Sequence, residues 1–168
     1  MRNLKRVSAG TCLLALGFVA YSRAAMQNKP ETPRGEVRHA LGTFEVKGTP
    51  LEPGDKPDTI GRFVLEKQFH GDLEATSKAQ MLTASTAVKG SAAYVAIEQV
   101  SGSLHGRSGS FVLQHSGTMT RGGSPQLSVT VVPDSGTDHL VGLAGKMTII
   151  VADGKHSYDL EYTLTDHR

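Results

Sequence analysis

The chain has 168 residues, one cysteine, no tryptophan, 19 glycines and 5% aromatic residues. Its length suits one domain, a lone cysteine excludes a disulfide scaffold or a paired-cysteine zinc site, and 38% hydrophobic residues suffice for a core. The 18 lysines and arginines exceed the 16 aspartates and glutamates by a net +2, a weak invitation to anionic partners.

Residues 1–25 stand apart from the rest. Arg2, Lys5 and Arg6 precede an apolar run over 11–21, and Ser22 and Ala24 can fill the −3 and −1 positions of a cleavage site. That pattern predicts a secretory signal peptide and a periplasmic or secreted product. The run is shorter than the roughly 20 residues a membrane-spanning helix needs. Cys12 lies at the start of the run and not after it, which argues against a lipid-modified terminus. An uncleaved anchor and a start at Met26 are the alternatives, and the second implies a cytoplasmic protein. Four of the 18 basic residues (Arg2, Lys5, Arg6, Arg23) and no acidic ones fall here, so without the segment 14 basic residues face 16 acidic ones. The basic excess therefore belongs to the leader, and no membrane contact is expected once it is cut.

Residues 26–40, with Pro30 and Pro33 among mixed charges, read as a flexible arm. A single domain is expected over 41–168. Short segments of alternating polarity follow one another: 43–47, 60–71, 72–85, 92–101, 110–120, 126–132, 146–151 and 156–164. Residues 49–58 and 102–109 read as loops. Phe63, Leu65 and Phe69 share one face of their strand, with Arg62, Glu66, Gln68 and His70 on the other. About eight strands without a convincing helix predict an all-β antiparallel meander, which loses its edges by closing into a barrel. Such a barrel is packed solid or holds one small ligand.

The segments Gly42-Thr43-Phe44-Glu45-Val46-Lys47, Lys67-Gln68-Phe69-His70-Gly71-Asp72-Leu73-Glu74 and Tyr94-Val95-Ala96-Ile97-Glu98 resemble a family of uncharacterised small bacterial proteins. The densest likeness runs from Gly102 to Gly117, and it continues through Ser135-Gly136-Thr137 with Leu140, Gly142, Leu143 and Gly145 to His156-Ser157-Tyr158-Asp159-Leu160-Glu161-Tyr162. It covers about residues 41–164. The resemblance implies a closed eight-stranded barrel similar to allene oxide cyclase and to dirigent proteins. Those relatives bind apolar or phenolic ligands inside the barrel and steer a cyclisation or coupling without a cofactor, and they tend to oligomerise. Family members usually lack an export leader, so this sequence departs from them at its N-terminus.

Candidate chemistry centres on Glu98 and His115. Phe111, Leu113, His115 and Met119 alternate onto one apolar face, so the imidazole is expected in the interior, as acid or base or as a core histidine bonded to a carbonyl. Tyr94, Ala96 and Glu98 share a face of the preceding strand. If that face is interior, Glu98 is a buried carboxylate with a raised pKa or with a charged partner, for which Arg62, Arg107 and His115 are the candidates. One sequence does not set the phase, and the opposite phase leaves Glu98 in solvent. Tyr158, Leu160, Tyr162 and Leu164 form a stripe on the last strand that suits either a ligand mouth or plain core. The expected ligand-contacting set is Tyr94, Phe111, Tyr158 and Tyr162.

Several motifs fall short. Gly102 and Gly106 are one residue too close for a phosphate loop, and Arg107 stands where lysine is required. Gly106-Arg107-Ser108-Gly109-Ser110 misses a nucleophile elbow at its last position. Asp134-Ser135-Gly136-Thr137 spells an aspartic-protease tetrapeptide but follows a proline and reads as a turn. The seven histidines show no metal-ligand spacing, the dispersed basic residues form no nucleic-acid stripe, and no cofactor is implied. The expectation is a barrel that binds a small apolar or aromatic molecule. A cofactor-free isomerase and a non-catalytic homo-oligomeric barrel are the alternatives.

Overall fold

Side-chain alternation dictates the architecture. The computed structural model describes residues 35–52 and 60–165. The predicted leader and the arm up to residue 34 therefore lie outside the described residues. Eight strands follow in order: β1 (Arg38–Glu52), β2 (Ile60–Gly71), β3 (Leu73–Ser85), β4 (Ala92–Leu104), β5 (Arg107–Met119), β6 (Gln126–Val131), β7 (Leu143–Ala152) and β8 (Lys155–Leu164). Each pairs antiparallel with the next and β8 returns to β1, closing an eight-stranded barrel. Closure removes both sheet edges, as the strand pattern predicts.

The strands run longer than their sequence patterns suggest. β1 begins at Arg38, inside the expected arm, because Arg38 to Phe44 pair with Tyr162 to His156 of β8. It also continues to Glu52, into the expected loop. The glycine-rich 102–109 stretch is no loop either: β4 and β5 run through it and leave His105 and Gly106 as the turn. Both have positive φ, 48° and 78°, which is the type I′ geometry that matches strand twist. Glycine suits such a turn, whereas histidine hides it from a sequence reading.

β6 is the short strand, and its join to β7 rests on the pair Thr130 and Lys146. Beyond it the chain over 132–137 takes up the free edge of β5. The Val132 N–H donates to the Val112 carbonyl at 2.8 Å, and the Thr137 N–H to the Ser110 carbonyl at 2.9 Å. In return the Val112 and Ser110 N–H groups donate to Ser135 Oγ and Thr137 Oγ1, both at 3.0 Å. The protease-like tetrapeptide thus supplies hydroxyl caps for a strand edge. A 3-10 turn, Asp138–Leu140, then seats the buried Leu140 over Gly109, where any Cβ would crowd it.

The two ends of the barrel differ. At the end holding the β2–β3 and β4–β5 turns, inward-facing Leu73, Leu104, Phe111, Leu140, Leu143 and Tyr162 are all buried. At the opposite end the inward phase loses its cover: Val46 is 39% exposed, Leu127 43%, Met119 51% and Val151 62%. Phe63, Leu65, Met81, Tyr94 and Ile149 lie between these extremes. Among the described residues, the barrel is shut at one end and leaves an apolar rim partly exposed at the other.

Candidate functional site: a buried ion-paired cluster below the mouth

β2 places Phe63, Leu65, Lys67 and Phe69 on its inner phase, and β3 places Ala75, Ser77 and Ala79 there. The inner phase of β4 carries Tyr94, Ala96 and Glu98, and that of β5 carries His115 and Gly117. Pairing sets Ala79 beside Glu98 and Ala96 beside His115. Glu98 is therefore interior and has no exposed surface, and His115 is 4% exposed. These two sequence candidates meet.

The charged partner of Glu98 is Lys67, and neither Arg62 nor Arg107 fills that place. Lys67 Nζ donates to Glu98 Oε2 at 2.7 Å, and Ser77 Oγ donates to Oε1 at 2.5 Å. Nζ also stands 5.0 Å and 5.7 Å from the ring centres of Phe44 and Phe69, a position favourable for a cation. His115 Nε2 lies 2.8 Å from Glu98 Oε2. Yet no properly directed hydrogen bond forms there, because the ring N–H does not point along the contact, and the atom is otherwise without a partner among the described residues. Close charge is present; alignment is not.

Burial acts to raise the Glu98 pKa. The His115 contact, the Lys67 charge and its hydrogen bond, and the Ser77 hydroxyl outweigh it and hold the carboxyl down at about 2. The expected alternative of a raised pKa is thereby corrected: Glu98 is an ionised acceptor, and Lys67 balances its charge. The Tyr94 phenol is pushed up, first by burial and then by the Glu98 charge. An ionised, donor-saturated carboxylate is a poor general acid and a weak base. Its chemical use is to place negative charge at a set point in a buried interior.

The other sequence candidates lie apart. Tyr94 is half-buried and lies across Gly117, inside the open half. Phe111 is deep core. Tyr158 and Tyr162, expected at a mouth, stand in the closed half with their hydroxyls committed. The Leu73 N–H donates to the Tyr158 hydroxyl at 3.0 Å, and the Tyr162 hydroxyl meets His105 Nδ1 at 2.7 Å. They pin the closed end. Sequence reading missed Lys67 and Ser77. The signal was a lysine in phase with Phe63, Leu65 and Phe69, and a serine in phase with Ala75 and Ala79. Among the described residues no three histidine, cysteine, aspartate or glutamate side chains converge as a metal site.

Fold and cluster together define a class: a closed antiparallel meander barrel, open at one end, with an ion-paired carboxylate beneath the opening. Within that class the chain belongs to the family described as protein of unknown function (DUF3224), which matches residues 40–162. It is similar to a protein with unknown function of that family from Shewanella oneidensis MR-1, whose crystal structure aligns with a TM-score of 0.72. The two are 48% identical over 77% of this chain and 99% of that one. No curated protein matches the chain.

Proposed function

We propose that the barrel binds a small, mostly apolar molecule through its open end, against the Lys67, Glu98 and His115 cluster. One observation carries this reading. A fully buried ionised carboxylate lies directly below an apolar rim that is still partly exposed, among inward side chains as small as Ala75, Ser77, Ala79, Ala96 and Gly117. A buried ion pair is often no more stabilising than apolar residues of equal volume, so packing alone gives it little reason to stand there. In the closed half the inward positions carry leucine and aromatic side chains instead. Native mass spectrometry of the protein purified from its own host tests the reading: a co-purifying small molecule supports it. A ligand-free protein that gains no thermal stability from any small aromatic or aliphatic compound overturns it.

The likeness to allene oxide cyclase supports a second reading, a cofactor-free isomerase or cyclase. Ionised Glu98 suits it by facing a developing cation, with Tyr94 and His115 at hand. Unchanged turnover in Glu98→Gln and His115→Ala, with a substrate in hand, removes this reading.

Self-association finds support on the outer wall. A groove of about 950 Å³ crosses β2 to β5, bordered by outward-facing Val64, Gln80, Leu82, Val95 and Ile97. Leu82, Val95 and Ile97 are exposed apolar side chains on neighbouring strands, the kind of patch that marks a protein contact. Export rests on the composition of residues 1–25, and the intact mass of the mature chain separates cleavage near Ala24 from a start at Met26.

A further inference from the structure

We infer that Lys67 and His115 form a two-donor cradle for an uncharged carbonyl oxygen, so that the barrel prefers apolar ketones, aldehydes or esters to hydrocarbons and to carboxylates. This rests on the reading that the open half binds a small molecule. Donors outnumber acceptors at the cluster. Glu98 Oε1 is taken by the Ser77 hydroxyl. Oε2 faces both Lys67 Nζ at 2.7 Å and His115 Nε2 at 2.8 Å. An ionised carboxylate only accepts hydrogen bonds, so Nε2 at that distance carries its hydrogen. No acceptor lies along that N–H, since the contact with Oε2 is misaligned, and the side chain is 95% buried. Lys67 spends one of its three N–H groups on Glu98 and turns the rest of its charge toward the Phe44 and Phe69 rings. The surroundings are apolar strand faces whose backbone groups are engaged in the ladders.

Such a site lacks one acceptor. A carbonyl oxygen supplies it without adding charge, and its apolar remainder meets the Phe63, Leu65, Met81 and Tyr94 rim. A hydrocarbon leaves the imidazole N–H unpaired and forfeits that gain. A carboxylate sets a second negative charge against the buried Glu98, where burial strengthens the repulsion.

Equilibrium dialysis with acetylnaphthalene, ethylnaphthalene and naphthoate tests this, since the three share one ring system and differ at the head group. Naphthalene absorbance in the protein-free compartment reports the free probe. Acetylnaphthalene is expected to bind about tenfold or more tightly than ethylnaphthalene, the usual worth of a hydrogen bond from a charged donor, and also more tightly than naphthoate. The double variant Lys67→Met/Glu98→Gln, which removes both charges together, is expected to lose most of that preference. Equal binding of the ketone and the hydrocarbon overturns the cradle and leaves barrel binding standing. Tightest binding by naphthoate overturns the preference for an uncharged oxygen. Failure of all three probes overturns the cradle, whereas barrel binding falls only if the host-purified protein also carries no small molecule and no small compound stabilises it. The wild-type comparison decides the matter by itself if the double variant does not fold.

Discussion

Lys67 and Glu98 are more costly to separate than to remove together. Lys67→Met strands an ionised carboxylate with no exposed surface, and a loss of about 3–5 kcal/mol is expected in urea unfolding. Lys67→Met/Glu98→Gln is expected to recover most of that loss, because neither charge then needs a partner. A double variant as unstable as the single one would show that the pair itself stabilises the fold. The same carboxyl gives stability a pH signature. Its folded pKa of about 2 lies below the ordinary 4.5, so its contribution is complete above about 4.5 and vanishes as pH falls through about 2. Unfolding measured across that window is expected to lose this limb in Glu98→Gln. An unaltered acid limb would place the effect on other carboxylates.

Strand contacts depend on where side chains are missing. On β5, Gly117 lies beneath the Tyr94 ring of β4, and a Cβ there would come within 2.3 Å of a ring carbon. Gly117→Ala is therefore expected to cost about 1–3 kcal/mol, and to cost clearly less in a Tyr94→Ala background. A double-mutant cycle measures that coupling; strict additivity would mean that the ring does not depend on the glycine. Turns show how far local sequence reaches. Asp153 and Gly154 form the last hairpin with φ of 52° and 74°, and the Asp-Gly pair announces it. His105 and Gly106 adopt the same geometry without announcing it, so the glycine-rich pattern suggests an eight-residue loop where two residues turn. β1 exceeds its sequence pattern for a different reason: its first residues look polar and irregular until β8 pairs with them.

For the whole molecule, the outer wall yields its own expectation. Val95→Lys places a charge among Leu82, Val95 and Ile97, and a shift toward monomer in light scattering is expected without loss of the fold. A wild-type protein that is monomeric at every concentration excludes self-association through this face. Much of the barrel is written locally: the alternation, the turns and the small residues in phase along β3 specify an all-β meander. Even the meeting of His115 with Glu98 was in view, since the two strands are adjacent. The inward phase was not. On β4 the face carrying Val95 and Ile97 is as apolar as the face carrying Tyr94, Ala96 and Glu98, so local hydrophobicity does not choose between them. Closure chooses, because the other seven strands must bury their own apolar faces on the same side. Lys67 was hidden for a related reason. A lysine in a strand ordinarily reaches water, and only the sheet brings it to a carboxylate 31 residues away. Strands, their alternation and most of the turns follow from the order of residues, because these depend on neighbours along the chain. The tertiary structure decided which face is interior, which end is open and which charges meet, because these depend on strands that become neighbours only when the barrel closes.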